Sequence, residues 1–150
     1  MDIRIIAVGK IKEKYLRQNI EKTLLNLRRF CPVEIMEVTD ERTPERLSLA
    51  QTNMVKVKEG QRINNLIRPN SFIIALAIEG KALSTENFRK SIRDAVEEGK
   101  ENVDFIIGGS LGLDAGILKM ADLSLSFSRL TFPHQLMRLI LLDQIRHIIE

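Results

Sequence analysis

Apolar and polar positions along the chain switch repeatedly between a period of two or less and a period near 3.6. Ile3 to Val8 is an almost continuous apolar run closed by Gly9, the pattern of a strand buried on both faces of a parallel sheet. Tyr15, Leu16, Ile20, Leu24 and Leu27 then recur at helical spacing among lysines and arginines, predicting an amphipathic helix to about Phe30 that Pro32 ends. Val33, Ile35 and Val38 alternate with Glu34 and Glu37 as a more exposed second strand. Thr43 before Pro44 puts a capping residue ahead of a proline at a first helical position, so a polar helix is expected from there to about Leu66, with Gly60 a point of interruption. Pro69-Asn70 makes a turn, Ser71 to Ile78 a third buried strand, and Glu79-Gly80-Lys81 the loop at its carboxyl end. A helix capped by Ser84 or Thr85 carries Phe88, Ile92 and Val96 and stops at Gly99. Val103 to Ile107 is strand four, Asp114 to Met120 a short helix, and Leu123 to Phe127 strand five. The last helix starts at Pro133. Five strands alternating with five helices predict an α/β fold, a mostly parallel five-stranded sheet with helices on both faces, in a single domain covering residues 1–150.

Composition narrows the class. With 150 residues, 44 % hydrophobic and 29 % charged, the chain has the make-up of one globular domain. Its apolar runs are too short to span a bilayer and its charged amino terminus is unlike a signal peptide, so a cytoplasmic protein without membrane contact is expected. The single Cys31 cannot form an internal disulfide, and no Cys/His cluster has zinc-ligand spacing, so no metal is expected. Residues 1 to 30 carry eight basic and three acidic groups although the whole chain has a net charge of only +3. Such a segment suits a phosphate backbone and equally a solvated helix face.

Ligands of open α/β sheets gather beyond the carboxyl ends of the strands. The loops that meet this rule are 76–81, 108–113 and 127–132, and the second holds three of the eight glycines. No Gly-x-Gly-x-x-Gly fingerprint and no Gly-Lys-Ser/Thr phosphate loop is present. Gly108-Gly109-Ser110-Leu111-Gly112 does fit Gly-x-Ser-x-Gly after a strand, and Ser110, Asp122 and His134 follow the chain order of a serine hydrolase. Against that reading, the chain is short, lacks a His-Gly-Gly-Gly oxyanion motif, and places Asp122 before a strand instead of after one. His134, at a helix amino terminus, is disfavoured as an imidazolium and is a candidate proton acceptor, or else a capping histidine. Arg138, one turn on, is placed to hold a phosphate or carboxylate, or else forms an ion pair.

Three stretches together resemble the RlmH family, the SPOUT-class methyltransferases of large-subunit ribosomal RNA. They are Ile3-Arg4-Ile5-Ile6-Ala7-Val8-Gly9-Lys10 with Glu13-Lys14-Tyr15, Ala75-Leu76-Ala77-Ile78-Glu79-Gly80-Lys81, and Ile107-Gly108-Gly109-Ser110-Leu111-Gly112 followed by Leu125 through Arg138. The resemblance implies a carboxyl-terminal trefoil knot with S-adenosylmethionine bent inside it, contacted by Leu76, Gly108, Phe127, Ser128, Arg129, Leu130, Thr131 and Phe132. It implies a substrate in 23S rRNA, the N3 of a pseudouridine in a stem-loop of the assembled ribosome, with His134 and Arg138 as catalytic candidates. It also implies a homodimer, in keeping with a last helix whose apolar positions exceed one buried stripe. The family continues into a tail ending Pro-Tyr-His and a basic residue, whereas this sequence ends at Glu150 and has Arg146 where the family has an aromatic. A relative that binds the cofactor or the ribosome with impaired catalysis is therefore the alternative expectation.

Overall fold

A computed structural model describes residues 1–41 and 46–149. The elements run β1 (Asp2–Val8), α1 (Lys14–Leu27), β2 (Val33–Val38), α2 (Leu49–Asn64), β3 (Ser71–Ala82), α3 (Thr85–Glu97), β4 (Asn102–Ile107), α4 (Ala115–Met120), β5 (Leu123–Ser126) and α5 (His134–Ile149). Every strand pairing is parallel and the sheet order is β2-β1-β4-β3-β5. Strands β1 and β4 are central, which is why Ile3 to Val8 and Val103 to Ile107 read as unbroken apolar runs: both faces of each are covered.

One face packs against α1, α3 and α5 around Ile5, Phe105, Leu141, Leu142 and Ile145; the other packs against α2 and α4 around Ile6, Ile106, Ile63 and Ile117. Phe88 of α3 meets Phe105 edge to face, with ring centroids 6.0 Å apart. In α1 the buried stripe is Leu16, Ile20, Leu24 and Leu27. Tyr15, expected in it, is exposed, as is Val96 of α3, whose place Ala95 takes. The rest of each expected stripe is buried as read, Leu16, Ile20, Leu24 and Leu27 in α1 and Phe88 and Ile92 in α3, so only one edge residue of each helix differs.

The start of α2 differs from expectation. Thr43 and Pro44 lie outside the described residues, and the helix begins instead behind a reciprocal cap. Ser48 Oγ accepts from the Gln51 amide at 3.1 Å, and the Ser48 amide donates to Gln51 Oε1 at 2.9 Å. Gly60 does not interrupt α2 either; it is buried inside the helix, where a Cβ would stand 3.1 Å from Asp114 Cβ.

The third strand also departs from its expected form. It runs on to Ala82, but β5 pairs with residues 74–76 and again with 81–82, Leu125 serving opposite both Leu76 and Lys81. Residues 77–80 thus arch out of the ladder, and the expected loop is a wide bulge inside the strand.

At the amino end of the sheet Arg68 ties three strands' beginnings together. Its backbone amide donates to Asp104 Oδ2 at 2.8 Å, its Nη2 to Asp104 Oδ1 at 2.7 Å, and its Nη1 to Asp2 Oδ1 at 2.7 Å. Asp104 has no solvent exposure, so its charge depends wholly on these donors. Asp104→Ala is therefore expected to cost about 3–5 kcal/mol by leaving Arg68 half-buried without its main partner. Urea denaturation measures this, and a loss below about 1 kcal/mol would show that the pair is dispensable.

Candidate functional site

At the opposite, carboxyl end of the sheet, β3, β4 and β5 end in three loops that close on one cavity of about 590 Å³. Leu76 to Glu79 of the arch form one wall. Ile107 to Leu113 form a second, and Ser126 to Ser128 with Leu130, Thr131 and Phe132 a third. The size lies in the ordinary range for a cavity that takes a small molecule or cofactor.

Each wall is shaped by a local device. The arch stays against β5 because Gly80 has no side chain: a Cβ there would lie 2.7 Å from the carbonyl carbon and oxygen of Ser124. The second wall is a tight turn in which the Gly112 amide donates to the Gly109 carbonyl at 3.0 Å. The third is folded by Ser128, whose Oγ accepts from the Leu130 amide at 2.9 Å, while Ser126 Oγ donates to the Ser128 carbonyl at 3.1 Å.

Of the residues expected to contact a cofactor, Leu76, Gly108, Phe127, Ser128, Leu130, Thr131 and Phe132 line this cavity. Arg129 is not among the lining residues; it is exposed in the same loop. Arg138 is also absent from the lining. Its side chain is only 3 % exposed, with Nη1 on Glu37 Oε2 and Nη2 on the Gly9 carbonyl, both at 2.7 Å. Within this chain the guanidinium holds a protein carboxylate and a carbonyl, joining α5 to the ends of β1 and β2. His134 opens α5, and its side chain lies outside what the structure describes.

The hydrolase arrangement is not assembled. Asp122 sits at the amino end of the sheet, where its Oδ2 accepts from the Ile73 amide at 2.8 Å, whereas Ser110 is exposed in the turn beyond the carboxyl end of β4. The Cys31 thiol is pushed above its usual range, chiefly by burial, which disfavours the thiolate that nucleophilic work needs.

Sequence reasoning missed the contribution of α2. Lys56 lines the cavity, and on the same helix Val55 and Glu59 line a second hollow of about 460 Å³. The two hollows share Gly109, Ser110 and Leu111. The second is bounded by Val8 to Lys10 and Lys12 from the β1–α1 turn and by Glu37 to Glu41 at the end of β2. Glu59 is 6 % exposed; its Oε2 accepts from the Glu41 amide at 3.0 Å, and Oε1 faces the turn at Gly109. Burial raises the pKa of this carboxyl, opposed by the Glu41 hydrogen bond; the charges of Asp40 and Glu41 raise it further and that of Arg62 lowers it. Only the helical spacing of Val55, Lys56 and Glu59 hinted at a shared face, and their chemistry appears only once α2 packs beside the glycine turn.

A family model described as a predicted SPOUT methyltransferase matches residues 1–149. The chain belongs to the SPOUT methyltransferase family. It is 52 % identical to "Ribosomal RNA large subunit methyltransferase H" of Clostridioides difficile strain 630 over 145 residues, 97 % of this chain and 91 % of that protein. The proteins of the same name from Bifidobacterium adolescentis and Enterococcus faecalis are 54 % and 50 % identical over the same shares. The serine-hydrolase expectation is thereby replaced, as the position of Asp122 already required. Among the described residues no helix is long and apolar enough to cross a membrane, and no group of three or more His, Cys, Asp or Glu side chains is placed to hold a metal.

Two outcomes follow for this SPOUT methyltransferase. Gly80→Ala is expected to cost about 1–3 kcal/mol in urea denaturation, because backbone and not a flexible side chain must give way. For Glu59 the folded-state pKa lies above the unfolded one, so the penalty is absent below the ordinary carboxylate range and grows as pH rises through it. The melting temperature of Glu59→Gln should match wild type near about pH 4 and exceed it near about pH 8. Parallel melting curves across that interval would show that the carboxylate carries no such penalty.

Proposed function

We propose that the protein transfers a methyl group from S-adenosylmethionine to large-subunit ribosomal RNA, at the N3 of a pseudouridine in a stem-loop of the assembled ribosome. The observation that carries this reading is the convergence of the 76–79, 108–113 and 126–132 segments on one cavity. Their sequence resembles the RNA methyltransferases named above. The residues fit the cofactor: Leu76, Leu113, Leu118 and Phe132 offer apolar walls, the glycine turn brings backbone close, and Lys56 and Glu79 supply opposite charges suited to an amino-acid moiety. When bound, S-adenosylmethionine supplies a methyl group on a positively charged sulfur.

What the chain's own residues then do is position and exclude. The Ser128 turn and the Gly109–Gly112 turn fix backbone amides and carbonyls in place before any ligand arrives, which avoids ordering them during binding. The apolar walls reduce the water that reaches the reacting centre. His134 remains the candidate proton acceptor at the start of α5, and Arg138 acts as a positioning residue that anchors that helix. The chain passes from β5 at the sheet edge to α5 beside α1, over the ends of β3 and β4, and this is the path on which a trefoil knot would thread. Leu136, Met137, Leu139 and Ile140 leave an incompletely buried apolar face on α5, which we assign to a homodimer contact.

Titration calorimetry is expected to find one S-adenosylmethionine site per protomer, and ribosomes lacking the modification should accept a labelled methyl group. Gly108→Val places atoms where a Cβ already stands 3.0 Å from Gly112 and Leu113, so cofactor affinity should fall by about tenfold or more. Light scattering at twice the chain mass is expected. Absence of cofactor binding in the wild-type protein would overturn the reading.

A further inference from the structure

The second hollow, outside the proposed cofactor cavity, abuts it along the whole 109–111 turn. Its contents are chemically sorted. Four carboxylates belong to it, and two are already spoken for: Glu37 by Arg138 and Glu41 by Arg62. Asp40 is exposed to solvent. Glu59 differs from all three, being more than nine-tenths buried with no ion pair among the described residues. One of its oxygens receives the Glu41 amide, and the other, beside Gly109, has no partner among the described residues. Around it stand the apolar side chains of Val8, Val38, Val55 and Leu111, and at the outer edge the exposed Lys10 and Lys12.

A carboxylate at the floor, apolar side chains around a hollow of about 460 Å³, and ammonium groups at the rim are the complement of a nucleotide whose base offers an N–H. Burial raises the pKa of the Glu59 carboxyl, and a desolvated carboxyl set against a proposed reaction site is a candidate for function. Building on the RNA-methyltransferase reading above, we infer that this second hollow receives the acceptor base, with Glu59 accepting a ring N–H and Lys10 and Lys12 holding the phosphate. A pseudouridine ring carries two N–H groups where uridine carries one. With N3 directed toward the methyl donor in the first cavity, N1–H is the hydrogen left for Glu59. Glu59 thereby becomes a specificity-determining residue, because uridine leaves the buried carboxylate without a donor.

The test is an amide-resolved NMR titration of the full chain with pseudouridine 5′-monophosphate, uridine 5′-monophosphate and, separately, S-adenosylhomocysteine. Pseudouridine monophosphate is expected to shift amides of residues 8–12, 41 and 109–111, and to bind about tenfold more tightly than uridine monophosphate. Glu59→Gln keeps an oxygen for the Glu41 amide and should bring the two nucleotides to within about twofold of each other. Lys10→Ala with Lys12→Ala should weaken both nucleotides equally. S-adenosylhomocysteine should shift residues 76–79 and 126–132 in every variant. Nucleotide shifts confined to the first cavity, no shifts at about 10 mM nucleotide, or an unchanged preference in Glu59→Gln would overturn the assignment. Loss of the S-adenosylhomocysteine response alone would count against the cofactor site and leave the base pocket standing.

Discussion

The clasp of Arg138 on Glu37 and the Gly9 carbonyl is the contact on which the carboxyl end of this molecule depends. The chain leaves β5 at one edge of the sheet, yet its last helix must pack beside α1, three strand spacings away at roughly 4.8 Å each. Residues 127–133 therefore have to cross close over the ends of β3 and β4. A buried guanidinium is expensive to desolvate and holds its place only where its donors are met. Here the partners lie on the β1 and β2 ends, so the start of α5 has one favourable position. That position sets the loop across the first cavity, puts Met137 in its wall, and places Glu37 and Gly9 at the boundary of the second.

Much of this architecture was legible in the chain because parallel strands covered on both faces leave uninterrupted apolar runs, as in β1 and β4. The rule that ligands gather at carboxyl ends then singled out the three loops that do converge. The misses share a cause. Tyr15 and Val96 lie next to the true buried stripe, and periodicity alone does not fix the rotation of a helix to within one residue. The arch in β3 is invisible locally, since it exists only because β5 pairs on both sides of it and Gly80 lets Ser124 approach. For Arg138 the ion-pair alternative is the one realised, but its partner Glu37 is 101 positions away and could not be named from the sequence.

The α2 helix shows the same limit from the functional side. Its sequence read as a polar helix, the least apolar segment of the chain, with no chemistry assigned to it. Yet it lies where the glycine turn separates two hollows, with Lys56 on one and Glu59 on the other. Only packing reveals this, because Gly109, lacking a side chain, allows Glu59 Oε1 to within 3.4 Å of where its Cβ would be. The absence of a side chain on one element thus creates the environment of a charge on another, and no window of sequence contains both.

The course of the backbone makes the first cavity. Its walls are largely path: an arch lifted out of a strand, a four-residue turn between glycines, and a loop pulled across strand ends. Side chains line it, but the backbone decides where they stand. Such a site is costly to alter piecemeal, because moving one wall means breaking sheet pairing at Leu125 or releasing α5. It is also poorly supplied with charged groups for acid–base or nucleophilic work. That combination suits a reaction whose main demands are alignment and exclusion of water, since transfer from a sulfonium requires little covalent participation by the protein. Under the function proposed above, discrimination among acceptors falls to a neighbouring surface with its own polar contacts. On the assignment proposed above, that surface is the hollow across the 109–111 turn, which Glu59, Lys10 and Lys12 line.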